Sequence, residues 1–327
     1  MSASAINWID KAQALTVRVR NFVDGRWQAD RGGEQLQKYG PRDGRLLCQF
    51  GAGQAADADA AVASARRAFN DGRWSKLPTQ RRKDILYKLA ALVDEHREEL
   101  ALLESLDVGK PITDAFNFDV PVSAANIRFS AEAADKLYSK VYAADATSLS
   151  FECRRPVGVV AGVVGWNFPL YLAAQKVGPV LATGNTLVLK PSELTSLSAA
   201  RLAELAAEAG VPEGVLNVVH GGPAVGAALA HHRDVDLLTF TGSSRTGKEL
   251  LVASGRSNMK RLILECGGKA PNIVFDDCPD VDAVADNIVA AAYWNQGEVC
   301  VASSRLLIQA GIKDELMKKV IDRKSVV

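Results

Sequence analysis

The spacing of hydrophobic and polar residues changes near residue 156. Before that point, apolar residues recur at helical spacing over residues 57–70, 79–107 and 119–137, which predicts three amphipathic helices. Beyond it, short apolar runs alternate with helical segments, a pattern typical of a parallel sheet that carries helices on both faces. The pattern as a whole therefore predicts an α/β protein.

The alternating part is expected to form a Rossmann-like sheet over residues 156–268. Its strands are predicted at 157–164, 186–189, 214–219, 235–240 and 261–264, and its helices at 170–181, 198–209, 224–231 and 245–254. A second, smaller α/β module follows over residues 269–327, with strands at 272–275 and 305–309 and helices at 281–294 and from 312 onward. One such module is too small to bury a core alone, so either it docks on the first domain or part of its fold is missing.

Two hairpins are predicted outside the sheet. Residues 21–27 alternate around the Asp24-Gly25 pair, and two short alternating segments over 139–155 bracket residues 145–147. The second hairpin separates an N-terminal region, residues 1–138, from the sheet. A local surface hairpin is one interpretation of it.

Composition excludes several classes of function. The 327 residues are 48% hydrophobic and 24% charged, with net charge +1 and no basic block, so nucleic acid is not an expected partner. No apolar run is long enough to span a bilayer, and the first twenty residues lack a secretory signal, which favours a cytoplasmic protein. The five cysteines and four histidines show no ligand spacing, so no metal is predicted. We expect Cys48, Cys153 and Cys278 to be small buried side chains.

The chemistry-bearing residues are Cys300 and Glu265. Cys300 ends the glycine-containing stretch Asn295-Gln296-Gly297-Glu298-Val299-Cys300, and Glu265 lies in a strand-to-glycine segment upstream. A thiol with a carboxylate that the fold could bring opposite it is the minimum needed for thiol nucleophilic catalysis with a general base. By itself this pattern is weak evidence.

Five motifs occur in the order and spacing found in one known protein superfamily. They are Trp166-Asn167-Phe168-Pro169, Leu189-Lys190-Pro191-Ser192-Glu193, Phe240-Thr241-Gly242-Ser243 through Gly247, Leu264-Glu265-Cys266-Gly267-Gly268-Lys269, and the stretch that ends at Cys300. From about Asn21 to its end the chain resembles the aldehyde dehydrogenase superfamily. Within that superfamily, its scaffold segments are most similar to bacterial γ-glutamyl-γ-aminobutyraldehyde dehydrogenases of putrescine breakdown.

The resemblance implies an NAD site. Gly242 and Ser243, between a strand and a helix start, would hold the diphosphate. Lys190 and Glu193 would hold the adenosine ribose, and Glu193 would repel a 2′-phosphate, which favours NAD over NADP. The remaining residues that the resemblance assigns to the cofactor are Trp166, Ser192, Gly226, Cys266 and Gly267. Without the resemblance, Lys190 would be interpreted as a surface cation.

The resemblance also implies a reaction. Cys300 would attack an aldehyde, Asn167 would stabilise the resulting oxyanion, and Glu265 would activate the water that hydrolyses the thioester. Lys176 matches a position implicated in proton handling, although a single helical lysine is more simply solvent-facing. An asparagine in the place of Asn167 is also a common turn former.

Two further residues concern the substrate. Asp119 and Phe168 match positions that face it, and the carboxylate at Asp119 would suit an amino aldehyde. A solvent-facing aspartate in the first helical turn is the simpler interpretation of Asp119. Cys266 places a second thiol near Cys300, so oxidation could link the two.

The resemblance leaves three functional hypotheses open. Relatives continue beyond Val327 through the rest of a catalytic domain, so the resemblance implies that residues 269–327 are the first part of a second α/β catalytic domain. In relatives the hairpin that corresponds to residues 139–155 pairs with another subunit, so we expect a truncated form of a homo-oligomeric enzyme. The leading hypothesis is NAD-dependent oxidation of an amino or acylamino aldehyde to the acid. The alternatives are an inactive nucleotide-binding fragment and a cofactor-independent thiol esterase.

Overall fold

The computed structural model describes residues 6–28 and 33–323. Residues 324–327, for which the sequence predicts a continued C-terminal helix, lie outside the described residues. The chain divides into two compact units. The first comprises residues up to 241 together with 245–264, and the second comprises 242–244 and the residues from 265 onward.

The helices and strands follow in chain order. The strands are β1 Phe22–Val23, β2 Arg26–Trp27, β3 Gln35–Tyr39, β4 Leu46–Gly51, β5 Val141–Tyr142, β6 Ser150–Phe151, β7 Val159–Val163, β8 Thr186–Lys190, β9 Leu216–Val218, β10 Leu237–Gly242, β11 Arg261–Cys266, β12 Pro271–Val274 and β13 Arg305–Ile308. The helices are α1 Trp8–Ala14, α2 Ala55–Asp71, α3 Thr79–Glu95, α4 Arg97–Val108, α5 Ile112–Asp114, α6 Val120–Ala133, α7 Pro169–Ala182, α8 Leu197–Ala209, α9 Pro223–His231, α10 Ser244–Arg256, α11 Val281–Tyr293 and α12 Lys313–Arg323.

A seven-stranded sheet of order β11-β10-β7-β8-β9-β1-β2 contains the five strands predicted over residues 156–268. The pairs β10·β7, β7·β8 and β8·β9 are parallel, and the β1–β2 hairpin at one edge runs antiparallel to its neighbour. Apolar residues of the parallel strands are buried on both faces, among them Val159, Val188 and Leu238. The predicted α/β class with a Rossmann-like parallel sheet is confirmed.

Glycines end several helices as the sequence predicts. Gly109 and Gly210 both adopt left-handed conformations, with φ of 89° and 101°, directly after α4 and α8. Their N–H groups return to carbonyl oxygens of the last turn, which closes the helix. At the first hairpin, Asp24 and Gly25 both have positive φ, at 57° and 74°, as a type I′ turn requires.

Three helix and strand predictions need correction. The single helix expected over 79–107 is two helices, because His96 takes a non-helical ψ of 23° between α3 and α4. The helix expected from Asp119 begins earlier, since a π-helical turn, Ala115–Asp119, precedes α6. The β3–β4 hairpin was not predicted, because Lys38 occupies a buried position of β3 where the alternation requires an apolar residue.

The second unit has its own small core. β12 and β13 pair in parallel, and α11 and α12 bury Leu316 and Val320 together with Ile288 and Val289. Asp280 begins α11 as an N-cap whose side chain accepts the N–H of Ala283 at 3.0 Å.

Candidate active site

The turn after β7 carries Asn167. The strand ends at Val163, α7 begins at Pro169, and the strand order of the sheet reverses at β7, which is where open α/β sheets bind their ligands. In this turn Asn167 is half-buried and Trp166 is exposed, whereas Phe168 is buried with its ring edge-on to Tyr171. The first unit therefore places these three predicted residues at the expected edge of its sheet.

A buried ion pair contacts this turn. The Lys110 ammonium lies 2.6 Å from a carboxylate oxygen of Asp119, and it donates to the main-chain oxygen of Asn167 at 3.1 Å. It also lies 4.2 Å from the centre of the Phe168 ring. The Asp119 side chain is only 1% exposed, so the solvent-facing interpretation of Asp119 is wrong. A buried carboxylate needs a counterion, and Lys110 supplies it.

Helix α4 holds the helices that follow β7 and β8. Glu104 accepts the main-chain N–H of Leu170 at 3.0 Å, and Asp107 accepts that of Leu197 at 2.9 Å. These are the first turns of α7 and α8, whose N–H groups have no partner within their own helix. Burial raises the pKa of Glu104 to about 8 and that of Asp107 to about 6. Sequence reasoning missed both carboxylates, although two acidic residues three positions apart on the apolar face of a helix are a usable signal.

Lys38 pairs with Asp107 in the same region. Its ammonium lies 3.0 Å from the Asp107 carboxylate and donates to the main-chain oxygen of Leu194 at 2.5 Å. Both side chains are buried. The pair thus reaches the turn that follows β8.

The end of β8 brings together three of the predicted cofactor residues. The Lys190 ammonium lies 3.1 Å from the Glu193 carboxylate, and a Cβ atom at Gly226 would lie 3.9 Å from Cδ of Lys190. Lys190 is only 5% exposed, so its interpretation as a surface cation is wrong. Burial lowers its pKa, and the Glu193 carboxylate opposes that effect. Ser192, next in the turn, accepts the N–H of Leu194 at 3.2 Å.

His220 is a buried neighbour that sequence reasoning missed. Neither ring nitrogen has a hydrogen-bond partner within the described part of the chain. Burial, followed by the charge of Lys190, lowers the pKa of His220 to about 3. The imidazole is therefore neutral at physiological pH. Its ring packs edge-on against Phe50, with ring centres 6.0 Å apart.

Lys176 lies on α7 and is buried, so the solvent-facing interpretation of this residue is also wrong. It packs against β7, where a Cβ atom at Gly162 would lie 3.6 Å from Cβ of Lys176. The tightest neighbour of such an atom would be Cδ1 of Leu187 on the adjacent strand, at 3.2 Å.

In the second unit, the segment that carries Glu265 contacts two other predicted segments. Glu265 and Cys266 end β11 and are exposed. The N–H of Gly267 donates to the carbonyl of Gly242 at 3.3 Å, and the N–H of Gly268 donates to the carbonyl of Cys300 at 3.2 Å. The main chain next to the proposed base is therefore bonded both to the proposed phosphate turn and to the proposed nucleophile.

The loop before Cys300 has an unusual backbone. Asn295, Gln296 and Gly297 have φ of 50°, 62° and 75°, and Asn295 is 2% exposed. Left-handed non-glycine residues are uncommon, and strained backbone conformations cluster at active sites, ligand clamps and switch regions. The N–H of Glu298 closes the turn on the carbonyl of Asn295 at 2.9 Å. Cys300 itself is exposed, so its thiol is accessible.

The other thiols differ from one another. Cys48 is half-buried, and burial raises its pKa to about 11, so it is an unreactive thiol. Cys278 is partly buried against the core of the second unit. Cys153 is exposed, so its expected burial is wrong: it follows β6, whose residues are themselves exposed.

Metal clusters and membrane spans are both missing from the described residues. Within ranges 6–28 and 33–323, no group of three or more histidine, cysteine or acidic side chains could hold a metal ion. None of the helices in those ranges is long and apolar enough to cross a bilayer. A cavity of about 470 Å³ in the second unit is lined by residues of 272–287, including Phe275, Pro279 and Asn287, and none of the predicted site residues lines it.

Comparison with known proteins agrees with these observations. Residues 27–326 match the profile of the aldehyde dehydrogenase family. The chain is 48% identical over 311 residues to the NADP/NAD-dependent aldehyde dehydrogenase PuuC of Escherichia coli, covering 95% of this chain and 63% of that protein. It is 45% identical over 310 residues to aminoacetaldehyde dehydrogenase of Pseudomonas aeruginosa, covering 94% of this chain and 62% of that protein.

Solved structures give the same result. The chain matches an indole-3-acetaldehyde dehydrogenase complexed with NAD⁺ at a TM-score of 0.96 and 50% identity, covering 98% of this chain and 65% of that one. It matches γ-glutamyl-γ-aminobutyraldehyde dehydrogenase of Burkholderia cenocepacia at a TM-score of 0.95 and 48% identity, covering 97% of this chain and 64% of that one. The chain belongs to the aldehyde dehydrogenase family, which confirms the resemblance. The chain spans 63% of the length of PuuC and 62% of the length of the Pseudomonas aeruginosa aminoacetaldehyde dehydrogenase.

Proposed function

We propose that this chain carries out NAD-dependent oxidation of an aldehyde to the carboxylic acid through a thioester on Cys300. The observation that carries the proposal is the hydrogen bond from Gly268 to the carbonyl of Cys300, which holds the Glu265 segment beside the nucleophile loop. Membership of the family and the names of its relatives support it further.

Each step is assigned to a residue of this chain. The Cys300 thiolate adds to the aldehyde carbon, and the amide of Asn167 donates to the oxyanion of the resulting hemithioacetal. After hydride loss, Glu265 removes a proton from the water that cleaves the thioester and frees Cys300. Lys176 is proposed to assist proton movement.

The residues at the end of β8 fit the adenosine side of NAD. Glu193 can accept hydroxyl protons of the ribose, Lys190 can donate to them, and Gly226 leaves room beside Lys190 for a close approach. When bound, NAD would accept the hydride from the hemithioacetal. Gly242 and Ser243 are proposed to hold the diphosphate, and Trp166, Ser192, Cys266 and Gly267 are proposed to line the rest of the site.

NADP is the less favoured cofactor, because the Glu193 carboxylate would repel a 2′-phosphate. The Lys190 ammonium at 3.1 Å offsets part of that charge, so the discrimination is expected to be moderate. The description of the Escherichia coli relative as NADP/NAD-dependent is compatible with this expectation.

An amino or acylamino aldehyde is the proposed substrate. The names of the aminoacetaldehyde and γ-glutamyl-γ-aminobutyraldehyde dehydrogenases support this class, and Phe168 is proposed to contact the substrate. Asp119 is a weaker candidate for binding an amino group, because Lys110 already balances its charge. An arylacetaldehyde belongs in the same assay, since an indole-3-acetaldehyde dehydrogenase is equally similar.

A cytoplasmic location is proposed from the sequence alone, and homo-oligomerisation is proposed from the sequence together with one feature of the surface. The β5–β6 hairpin exposes Val141, Leu149 and Phe151, which suits it to a subunit contact. Light scattering of the purified chain tests the assembly: a monomer that shows no mass increase up to high concentration would contradict it.

One assay tests the proposed function. The purified chain is incubated with a panel of aldehydes and NAD or NADP while reduced cofactor is followed by absorbance, in parallel with a nitrophenyl ester. Cofactor reduction that Cys300→Ala abolishes supports the dehydrogenase. Ester cleavage without cofactor reduction supports a thiol esterase, and NAD binding without either reaction supports a nucleotide-binding fragment.

A further inference from the structure

Two buried lysine–aspartate pairs lie beside α4. We call Lys110 and Asp119 the oxyanion-side pair, and Lys38 and Asp107 the ribose-side pair. The ammonium and carboxylate groups are 2.6 Å apart in the first pair and 3.0 Å apart in the second, and no side chain of either pair is more than 7% exposed. The two pairs therefore have the same chemistry and the same burial.

Each lysine also donates to a main-chain oxygen in one of the two turns, and Lys38 donates in addition to the main-chain oxygen of its own partner Asp107 at 2.6 Å. Lys110 donates to Asn167 at 3.1 Å, in the turn after β7, and Lys38 donates to Leu194 at 2.5 Å, in the turn after β8. An ammonium has three N–H donors, so it can bind its aspartate and a carbonyl together. The first turn carries the proposed oxyanion amide, and the second carries the proposed ribose residue Glu193.

Helix α4 holds the far end of each turn as well. Glu104 accepts the N–H of Leu170, three residues beyond Asn167, and Asp107 accepts the N–H of Leu197, three residues beyond Leu194. Each turn is thus bound at two points. A buried lysine donates to one of its carbonyl oxygens, and a buried carboxyl group of α4 accepts an N–H from the first turn of the helix that follows. Gly109 ends α4 in the left-handed conformation, after which Lys110 reaches the first turn.

Stability alone is a weak reason for these pairs. Replacing a buried ion pair with apolar residues of similar size is often neutral or stabilising, because desolvating two charges is costly. An apolar pair could fill the space but could not bind the carbonyls of Asn167 and Leu194. The hydrogen bonds to the turns are what the charges add.

We propose that the two pairs are separate positioning sites on one helix. Lys110 with Asp119 fixes the Asn167 turn and controls the rate of thioester formation, whereas Lys38 with Asp107 fixes the turn around Glu193 and controls cofactor affinity. This inference rests on the proposed function. It goes beyond that function because it assigns the rate of thioester formation to one pair and the cofactor affinity to the other.

The test uses two matched double variants of the full chain, Lys110→Met/Asp119→Asn and Lys38→Met/Asp107→Asn. Both remove a buried pair without leaving one charge unpaired. The measurements are the acylation burst with a nitrophenyl ester, the Kd for NAD from protein fluorescence, and amide hydrogen exchange. The exposed pair Arg128 and Asp94, 2.8 Å apart, provides a control double variant that should change none of them.

The expected results are opposite for the two pairs. The oxyanion-side variant should slow the burst by about tenfold to 100-fold, with NAD affinity within about twofold of the wild type, because a small misplacement at the reacting centre is costly. The ribose-side variant should raise the Kd for NAD about tenfold, with the burst nearly unchanged. Faster hydrogen exchange should be confined to residues 165–170 in the first variant and to residues 192–197 in the second.

Equal effects of both variants on both readouts, or no effect of either, would overturn the inference. If a double variant does not fold, Lys110→Arg and Lys38→Arg keep the charges but move the donors, and the same opposite pattern is expected at smaller size. A wild-type chain that neither binds NAD nor cleaves the ester would instead contradict the proposed function. Hydrogen exchange would still decide the positioning claim, since unselective exchange would overturn it.

Discussion

Glu104 accepts the N–H of Leu170 at 3.0 Å although its carboxyl group is completely buried. Burial raises the pKa of this group from 4.5 to about 8, and the charge of Lys110 only partly opposes the effect. The favoured form of Glu104 in the folded protein at pH 7 is therefore the neutral acid. A neutral acid still accepts the helix N–H, so the cap does not require a charge.

The first prediction concerns stability against pH. Because the folded pKa of Glu104 lies above the unfolded one, its contribution is fully present below pH 4.5 and is lost as the pH rises through about 8. Each pH unit by which the folded pKa exceeds the unfolded one corresponds to about 1.4 kcal/mol, so the free energy of unfolding should lose a few kcal/mol over this pH range. Glu104→Gln keeps an acceptor but cannot ionise, and its free energy of unfolding should fall less between pH 6.5 and 8.5.

Urea unfolding at pH 6.5, 7.5 and 8.5 measures this difference. The window lies above the pKa of about 6 for Asp107, whose own contribution is largely lost by then. Glu95→Gln, an exposed position at the end of α3, is the control and should follow the wild type. A Glu104→Gln variant with the wild-type pH dependence would show that this carboxyl group does not titrate as described.

The second prediction concerns Cys300. Because the proposed chemistry passes through a covalent bond to this exposed sulfur, Cys300→Ala should lower cofactor reduction and ester cleavage by at least about 10³-fold. NAD affinity should stay within a few fold, which fluorescence titration measures. Cys153→Ala removes another exposed thiol and should leave both reactions intact. Residual ester cleavage at the wild-type rate in Cys300→Ala would exclude this residue as the nucleophile.

The third prediction separates the two halves of the reaction. Glu265→Gln should keep the burst of nitrophenol, since attack by Cys300 does not require the base for water. The following steady-state rate should fall by about 10² to 10⁴-fold, the usual contribution of a general base. Stopped-flow absorbance distinguishes burst from turnover. If the burst of nitrophenol slowed by the same factor as the steady-state rate, Glu265 would instead be assigned to activation of the thiol.

The fourth prediction concerns cofactor choice. Glu193→Gln removes the negative charge that is proposed to face the ribose, and it leaves the Lys190 ammonium without its counterion. The ratio of kcat/KM for NADP to that for NAD should therefore rise about tenfold or more, because a 2′-phosphate gains an attraction and loses a repulsion. Initial rates with each cofactor measure it. An unchanged ratio would mean that this pair does not lie at the ribose.

The fifth prediction concerns oxidation. Cys266 and Cys300 are both exposed, and the bond from Gly268 to Cys300 holds their segments together. Peroxide should oxidise one thiol to a sulfenic acid. The other thiol then attacks the sulfenic sulfur, which forms the disulfide bond and releases the hydroxyl group as water. Peptide mass mapping should find the Cys266–Cys300 link and recover Cys153 without a partner. Recovery of Cys266 and Cys300 without a disulfide between them after peroxide treatment would contradict this prediction.

The sequence by itself determined the alternation of strands and helices over 156–268. Apolar runs such as the one around Val159 and helix-ending glycines such as Gly210 act over a few residues, so their consequences can be predicted locally. The motifs around Asn167, Glu265 and Cys300 likewise indicated the family, because their order and spacing are properties of the chain.

Only the tertiary structure decided which charges are buried. Lys110, Lys176 and Lys190 are single charged residues in the sequence, where a surface position is the simplest interpretation. Their burial depends on side chains that the fold brings from distant positions: Asn167 meets Lys110 from 57 residues away, and Leu194 meets Lys38 from 156 residues away. A charge becomes stable inside a protein only when such partners replace its water, and no local pattern records that exchange.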